Sequence, residues 1–127
     1  MGSDPLTIFL ALENLQKIIA NKQTLFQRAF RTDSTEIGIT EEKISFTWFS
    51  NTEDGDEIAA YTQFVLRLCD MARDAKRVSS KPTETDNDKY AFRCFLLRLG
   101  FIGKEYKTAR KILLRNLMGN SAFRCGE

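Results

Sequence analysis

Residues 86–123 read DNDKYAFRCFLLRLGFIGKEYKTARKILLRNLMGNSAF, two runs that mix apolar and basic residues on either side of Gly100 and Gly103. Glycine takes the left-handed backbone conformation that closes a helix without a steric penalty. Two helical runs bracketed this way are joined by a short turn, so an αα unit is the most regular part of the chain. The first of these helices is predicted to start at Asp86 or Asn87 and to end at Leu99, with Gly100 as its left-handed cap. Tyr90, Ala91, Cys94, Phe95 and Leu97 or Leu99 make its apolar side. Phe101 and Ile102 are expected to be buried in the turn. The second helix is predicted over 104–118, stopped by Gly119-Asn120. Its inward residues are Tyr106, Ala109, Leu113 and Leu117. Lys104, Lys107, Lys111 and Arg115, spaced by three, four and four, share its other face.

The preceding stretch, VSSKPTET at 78–85, is a loop, because Pro82 ends any helix and disfavours helical geometry at Lys81. Before it, a long helix is predicted over 57–77 with Ile58, Tyr61, Thr62, Val65, Leu68, Cys69 and Ala72 as its inner stripe. Residues 50–56, SNTEDGD, are a loop rich in candidate caps. Ile37 and Ile39, then Ile44, Phe46 and Trp48, alternate with small polar residues around Glu41-Glu42-Lys43, which is the period of a β-hairpin with one buried face. Its turn lacks Asn-Gly or Asp-Gly. Leu15, Ile18, Ile19, Leu25, Phe26, Ala29 and Phe30 follow helical spacing, with Asn14 as an N-cap and a kink or break across the polar 21–24 segment. The apolar run LTIFLAL at 6–12 has the length and β-branched content of a buried strand.

The expected fold class is therefore α+β. A small antiparallel sheet, one strand plus a hairpin, is packed by about four helices and ends in a basic αα hairpin. At 127 residues the chain is one domain by length, large enough to fold on its own core. Residues 1–4 read as an appended start. The domain proper then spans 5–127 and is expected to be the C-terminal domain of a longer protein. No apolar run has the length of a membrane span. The three cysteines (Cys69, Cys94 and Cys125) are an odd number with no Cys-x-x-Cys pair. This fits free thiols in a reducing, cytoplasmic setting. Cys69 and Cys94 are expected to be small core residues.

The chain has no histidine. That excludes Ser-His-Asp and Cys-His catalysis, histidine-ligated metals and histidine as a general base. No Gly-rich phosphate cradle is present. The carboxylates Glu53, Asp54, Asp56 and Glu57 have the oxygens a divalent cation needs, but acidic residues at a helix N-terminus account for them structurally. Asp86-Asn87-Asp88 is read as a capping segment. No catalytic residue, metal site or cofactor is assigned, and the chain is not expected to be an enzyme.

Charge gives the one functional lean. Residues 1–85 carry ten Lys/Arg against thirteen Asp/Glu, a balance of −3, whereas residues 86–127 carry nine against four, a balance of +5. Arg93, Arg98, Lys104, Lys107, Arg110, Lys111 and Arg115 have the charge to contact phosphates, and the paired helices have the outline of a helix-turn-helix. The competing reading is a solvated helix face, with Arg93 and Arg98 paired to acidic residues of the first part. Among the aromatics, Trp48, Phe92 and Phe101 suit the core. Phe49 and Phe123 are the candidates for an exposed stacking or partner surface.

The segments TEEKISFTWF and TETDNDKYAFRCFLLRLGFIGKEYKTARKILLRNLMGNSAF resemble the C-terminal domain of an uncharacterised "virulence-related protein" family. Its members are carried on conjugative and other mobile elements of Gram-positive gut bacteria. The resemblance spans about residues 5–124. It implies a bacterial, cytoplasmic, mobile-element setting and carries no catalytic residue, cofactor or mechanism. Two expectations follow. The first is an accessory domain that contacts DNA or RNA through the basic helical face. The alternative is a protein-interaction or self-association module that meets a protein of the same element or the region preceding this domain. Neither involves a membrane.

Overall fold

A computed structural model describes residues 5–40, 44–49, 52–75, 78 and 87–117. In chain order the elements are α1 (Pro5–Asn21), α2 (Gln23–Phe30), β1 (Ile37–Ile39), β2 (Ile44–Phe46), α3 (Gly55–Asp74), α4 (Asp88–Leu99), a 3₁₀ turn (Lys104–Tyr106) and α5 (Lys107–Leu114). The fold class is α+β with a small sheet. That sheet is the two-stranded antiparallel hairpin, in which Ile37 opposes Phe46, Gly38 opposes Ser45 and Ile39 opposes Ile44. Ile37, Ile44 and Phe46 pack on the core, and Ile39 is exposed. The hairpin turn at 41–43 lies outside the described residues.

The expected strand at 6–12 is instead the opening of α1. Between Pro5 and Asn21 there is no glycine or further proline, and Pro5 at the first position is compatible with a helix start because its missing N–H would have no partner there. A short apolar run takes its conformation from what continues it, and here an amphipathic helix does. Asn14 is consequently inside α1 and does not cap it. The break within 21–24 is present: Lys22 leaves helical geometry between α1 and α2, with φ −107° and ψ 16°.

Two local signals hold as read. Asn87 caps α4, its side-chain oxygen accepting from the Tyr90 N–H at 3.0 Å. Gly100 closes α4 in the left-handed region at φ 110°. The acidic group before α3 is a cap as well, since the Asp54 carboxylate accepts from the N–H groups of Asp56 and Glu57.

The core is an aromatic cluster centred on Phe26. Its fully buried ring lies within 5.6–6.4 Å of Phe30, Trp48, Phe64, Phe92 and Phe95. Trp48, Phe92 and Phe101 are buried, as expected. Three expectations about which face turns inward are corrected. α3 buries Ala60, Phe64, Leu68 and Ala72 and leaves Ile58 and Thr62 exposed. α4 buries Phe92, Phe95, Leu96 and Leu99. In the turn Phe101 is buried but Ile102 is 63% exposed. Both helices carry apolar residues around most of their circumference, so spacing alone leaves the phase open. The faces holding Phe64 and Phe92 win because a phenyl ring removes the most apolar surface from water. Cys69 and Cys94, expected in the core, are only half-buried, and Cys69 packs against the core.

Candidate nucleic-acid interface

Two glycines and an arginine set the direction of α5. Gly100 and Gly103 both take positive φ. Between them, the carbonyls of Phe101 and Gly103 accept from the Arg110 guanidinium at 2.8 and 3.0 Å. Arg110 therefore pins the turn instead of facing solvent. Ala109, Leu113 and Leu117 turn inward, which projects Lys104, Lys107 and Lys111 outward, all exposed. These three lysines have no ion pair among the described residues.

The remaining basic residues separate from this stripe. Arg93 and Arg98 are five positions apart on α4, about 140° around the helix, and so belong to different faces. Arg93 is half-buried and Arg98 is exposed. Arg98 borders a cleft of about 270 Å³ with Lys22, Met71 and Phe95. There Lys22 lies over the Phe95 ring at 5.5 Å. Burial and then the Arg98 charge push the Lys22 ammonium below its ordinary pKa.

Arg115 continues the lysine stripe but is paired internally. Its guanidinium meets the Glu57 carboxylate at 2.6 Å and donates to the Tyr61 hydroxyl at 3.2 Å. A hydrogen bond from Thr52 and another from Arg115 hold the Glu57 carboxyl below the usual carboxylate range. A carboxylate of the C-terminal part is paired too: Asp88 meets Arg28 of α2 at 2.7 Å. Of the seven basic residues predicted to contact phosphates, the structure brings Lys104, Lys107 and Lys111 together, with Arg115 at the end of the row.

Phe49, expected to be exposed, is half-buried. Its ring stacks on Tyr61 at 4.7 Å and 17° and meets Phe30 edge-on at 4.9 Å. Phe123 lies outside the described residues. Phe49 and Tyr61 border a cleft of about 380 Å³ that also holds Arg31, Arg115 and Asn116. Arg31 follows α2 in the left-handed region at φ 52°, a position that usually favours glycine. The sequence reading missed Arg31 and Asn116. The one local signal was an arginine, where glycine or asparagine is usual, at the end of α2.

Among the described residues no group of three or more Cys, Asp and Glu side chains is close enough to hold a metal ion. No helix among them is long and apolar enough to cross a membrane. Comparison with protein-family models, with curated proteins and with solved structures found no match.

Proposed function

We propose that this chain is a non-enzymatic accessory domain that contacts nucleic-acid phosphates through Lys104, Lys107 and Lys111. One observation carries the reading: three exposed lysines, running from the 3₁₀ turn into α5, have no acidic partner among the described residues, whereas the neighbouring Arg110 and Arg115 are tied to carbonyls and to Glu57. An array of unneutralised cations attracts a polyanion over a long range and releases its counterions on contact. The resemblance to a mobile-element family agrees with such a role and with a bacterial cytoplasm.

The test is a salt titration. Three phosphate contacts on duplex DNA give a log–log slope near −2.7, so affinity falls about 40-fold between about 50 and 200 mM salt. Replacing Lys104, Lys107 and Lys111 by Gln flattens that dependence. Absence of binding at the lower salt, or an unchanged slope in the triple variant, refutes the proposal.

A second reading has its own support. Ile58 and Leu66, 47% and 59% exposed, lie on the outward side of α3. A protein partner or a second copy of the chain covering them is the interaction-module alternative. Sedimentation that shows a concentration-dependent dimer, abolished by Leu66→Glu, favours it over the first.

A further inference from the structure

The basic stripe does not end in open surface. Lys107, Lys111 and Arg115 succeed one another at four-residue spacing, and Arg115 forms one wall of the cleft beside Phe49. A row of cations that leads into an aromatic-walled cleft is the arrangement that holds a single strand: charge follows the backbone, and rings stack the bases. A duplex, with its bases already stacked and paired, has no use for the rings.

Three features of the cleft go beyond packing needs. The Phe49–Tyr61 stack stands at the cleft edge, with both rings only half-buried. Arg31 adds a second guanidinium, exposed and without an ion pair among the described residues. It does so from a strained backbone position where glycine would be more comfortable, and retained strain of this kind gathers at ligand clamps. Asn116 uses its amide N–H to reach the Ala29 carbonyl at 2.9 Å, and its amide oxygen has no hydrogen bond among the described residues. Glu57 offsets one of the two cations through its ion pair with Arg115, and the cleft lining keeps one unit of positive charge. The cleft volume is within the range of small-ligand pockets.

We infer that this cleft takes one unstacked nucleotide of a single strand, with its base extending the Phe49–Tyr61 stack and its phosphate between Arg31 and Arg115. The inference rests on the nucleic-acid reading of the lysine stripe and narrows it from any polyanion to single-stranded DNA or RNA.

The experiment compares fluorescence anisotropy of a labelled short oligothymidylate with that of a duplex of equal length. The intact protein binds the single strand more tightly than the duplex. Phe49→Leu, which keeps the apolar bulk, and Arg31→Gly each weaken oligothymidylate binding about tenfold, the loss expected for one stacked base or its phosphate contact, and leave duplex binding within twofold. Arg31→Gly melts at the same temperature as the intact protein or higher, because glycine relieves the positive φ. A residue serving the fold alone would show only that second effect. Unchanged oligothymidylate affinity in Phe49→Leu and Arg31→Gly, alongside a loss in the Lys104/Lys107/Lys111 variant, overturns the cleft assignment and leaves the stripe standing. No binding of either nucleic acid by the intact protein overturns the stripe as well.

Discussion

Arg115, just past the end of α5, and Glu57, in the first turn of α3, meet at 2.6 Å. The Tyr61 hydroxyl accepts a further hydrogen bond from the same guanidinium at 3.2 Å. One basic residue thus locks the C-terminal helix to the helix that carries the core residue Phe64, and the acidic and basic parts of the sequence are joined there.

That lock is sensitive to acid. The folded Glu57 carboxyl titrates below its unfolded value, so the stabilisation it gives is present above the unfolded glutamate pKa. It is lost as pH falls through the lower folded value. Glu57→Gln should flatten the acid limb of a stability-versus-pH curve while lowering stability at neutral pH, as read by urea melts across the acidic range. It should also free Arg115 and strengthen oligothymidylate binding.

Asn14 performs a similar service for α3. Its amide donates to the Ala72 and Ala75 carbonyls at 3.1 and 3.0 Å, which are end groups that α3 cannot satisfy internally. Asn14→Ala should cost about 2 kcal/mol, two part-buried hydrogen bonds at roughly 1 kcal/mol each. Amide exchange should accelerate at the C-terminal turn of α3 first. Asn116→Ala, which removes one bond to the Ala29 carbonyl of α2, should cost about half as much.

Lys22 and Arg98 repel each other across their cleft. Arg98→Met should move the Lys22 titration, followed by NMR at its side-chain carbon next to nitrogen, to higher pH, since a neighbouring positive charge disfavours the ammonium form. Burial of Lys22 acts in the same direction and is the larger cause, so the titration should still fall below that of an exposed lysine. A Lys22 titration unmoved by Arg98→Met would refute the coupling.

Gly100 is a position where a methyl group has no room in the present arrangement. A Cβ built there would lie 2.5 Å from a guanidinium nitrogen of Arg67, at a φ of 110°. Arg67 is engaged elsewhere, stacked over the Tyr106 ring at 5.3 Å and bonded to its hydroxyl. Gly100→Ala should therefore destabilise by about 1–2 kcal/mol, the backbone strain plus a disturbed Arg67 contact. Chemical-shift changes should concentrate at Arg67 and Tyr106.

Phe26→Ala tests the core. A fully buried ring in contact with five others should cost about 3–5 kcal/mol. That is a large share of the stability of a domain this size, and thermal unfolding followed by circular dichroism measures it.

What the sequence by itself determined was local. The Asn87 cap, the Gly100 stop, the break near Lys22 and the hairpin of Ile37–Ile39 with Ile44–Phe46 each rest on atoms a few residues apart, or on a two-residue alternation visible in a short window. Tertiary structure decided three other things: that LTIFLAL is helical, which stripe of α3 and α4 turns inward, and which cations stay free. An apolar run and a helix with apolar residues on more than one side are compatible with more than one burial, and only the partner surface, here the ring cluster around Phe26, chooses. A polar side chain finds its tertiary partner by proximity in space. Arg115 reaches Tyr61 across 54 positions, Arg28 reaches Asp88 across 60, and Asn116 reaches Ala29 across 87. No window along the chain contains both ends of such a contact. For that reason the basic run could be read from the sequence, but not that Arg110 and Arg115 are tied down while Lys104, Lys107 and Lys111 have no ion pair among the described residues.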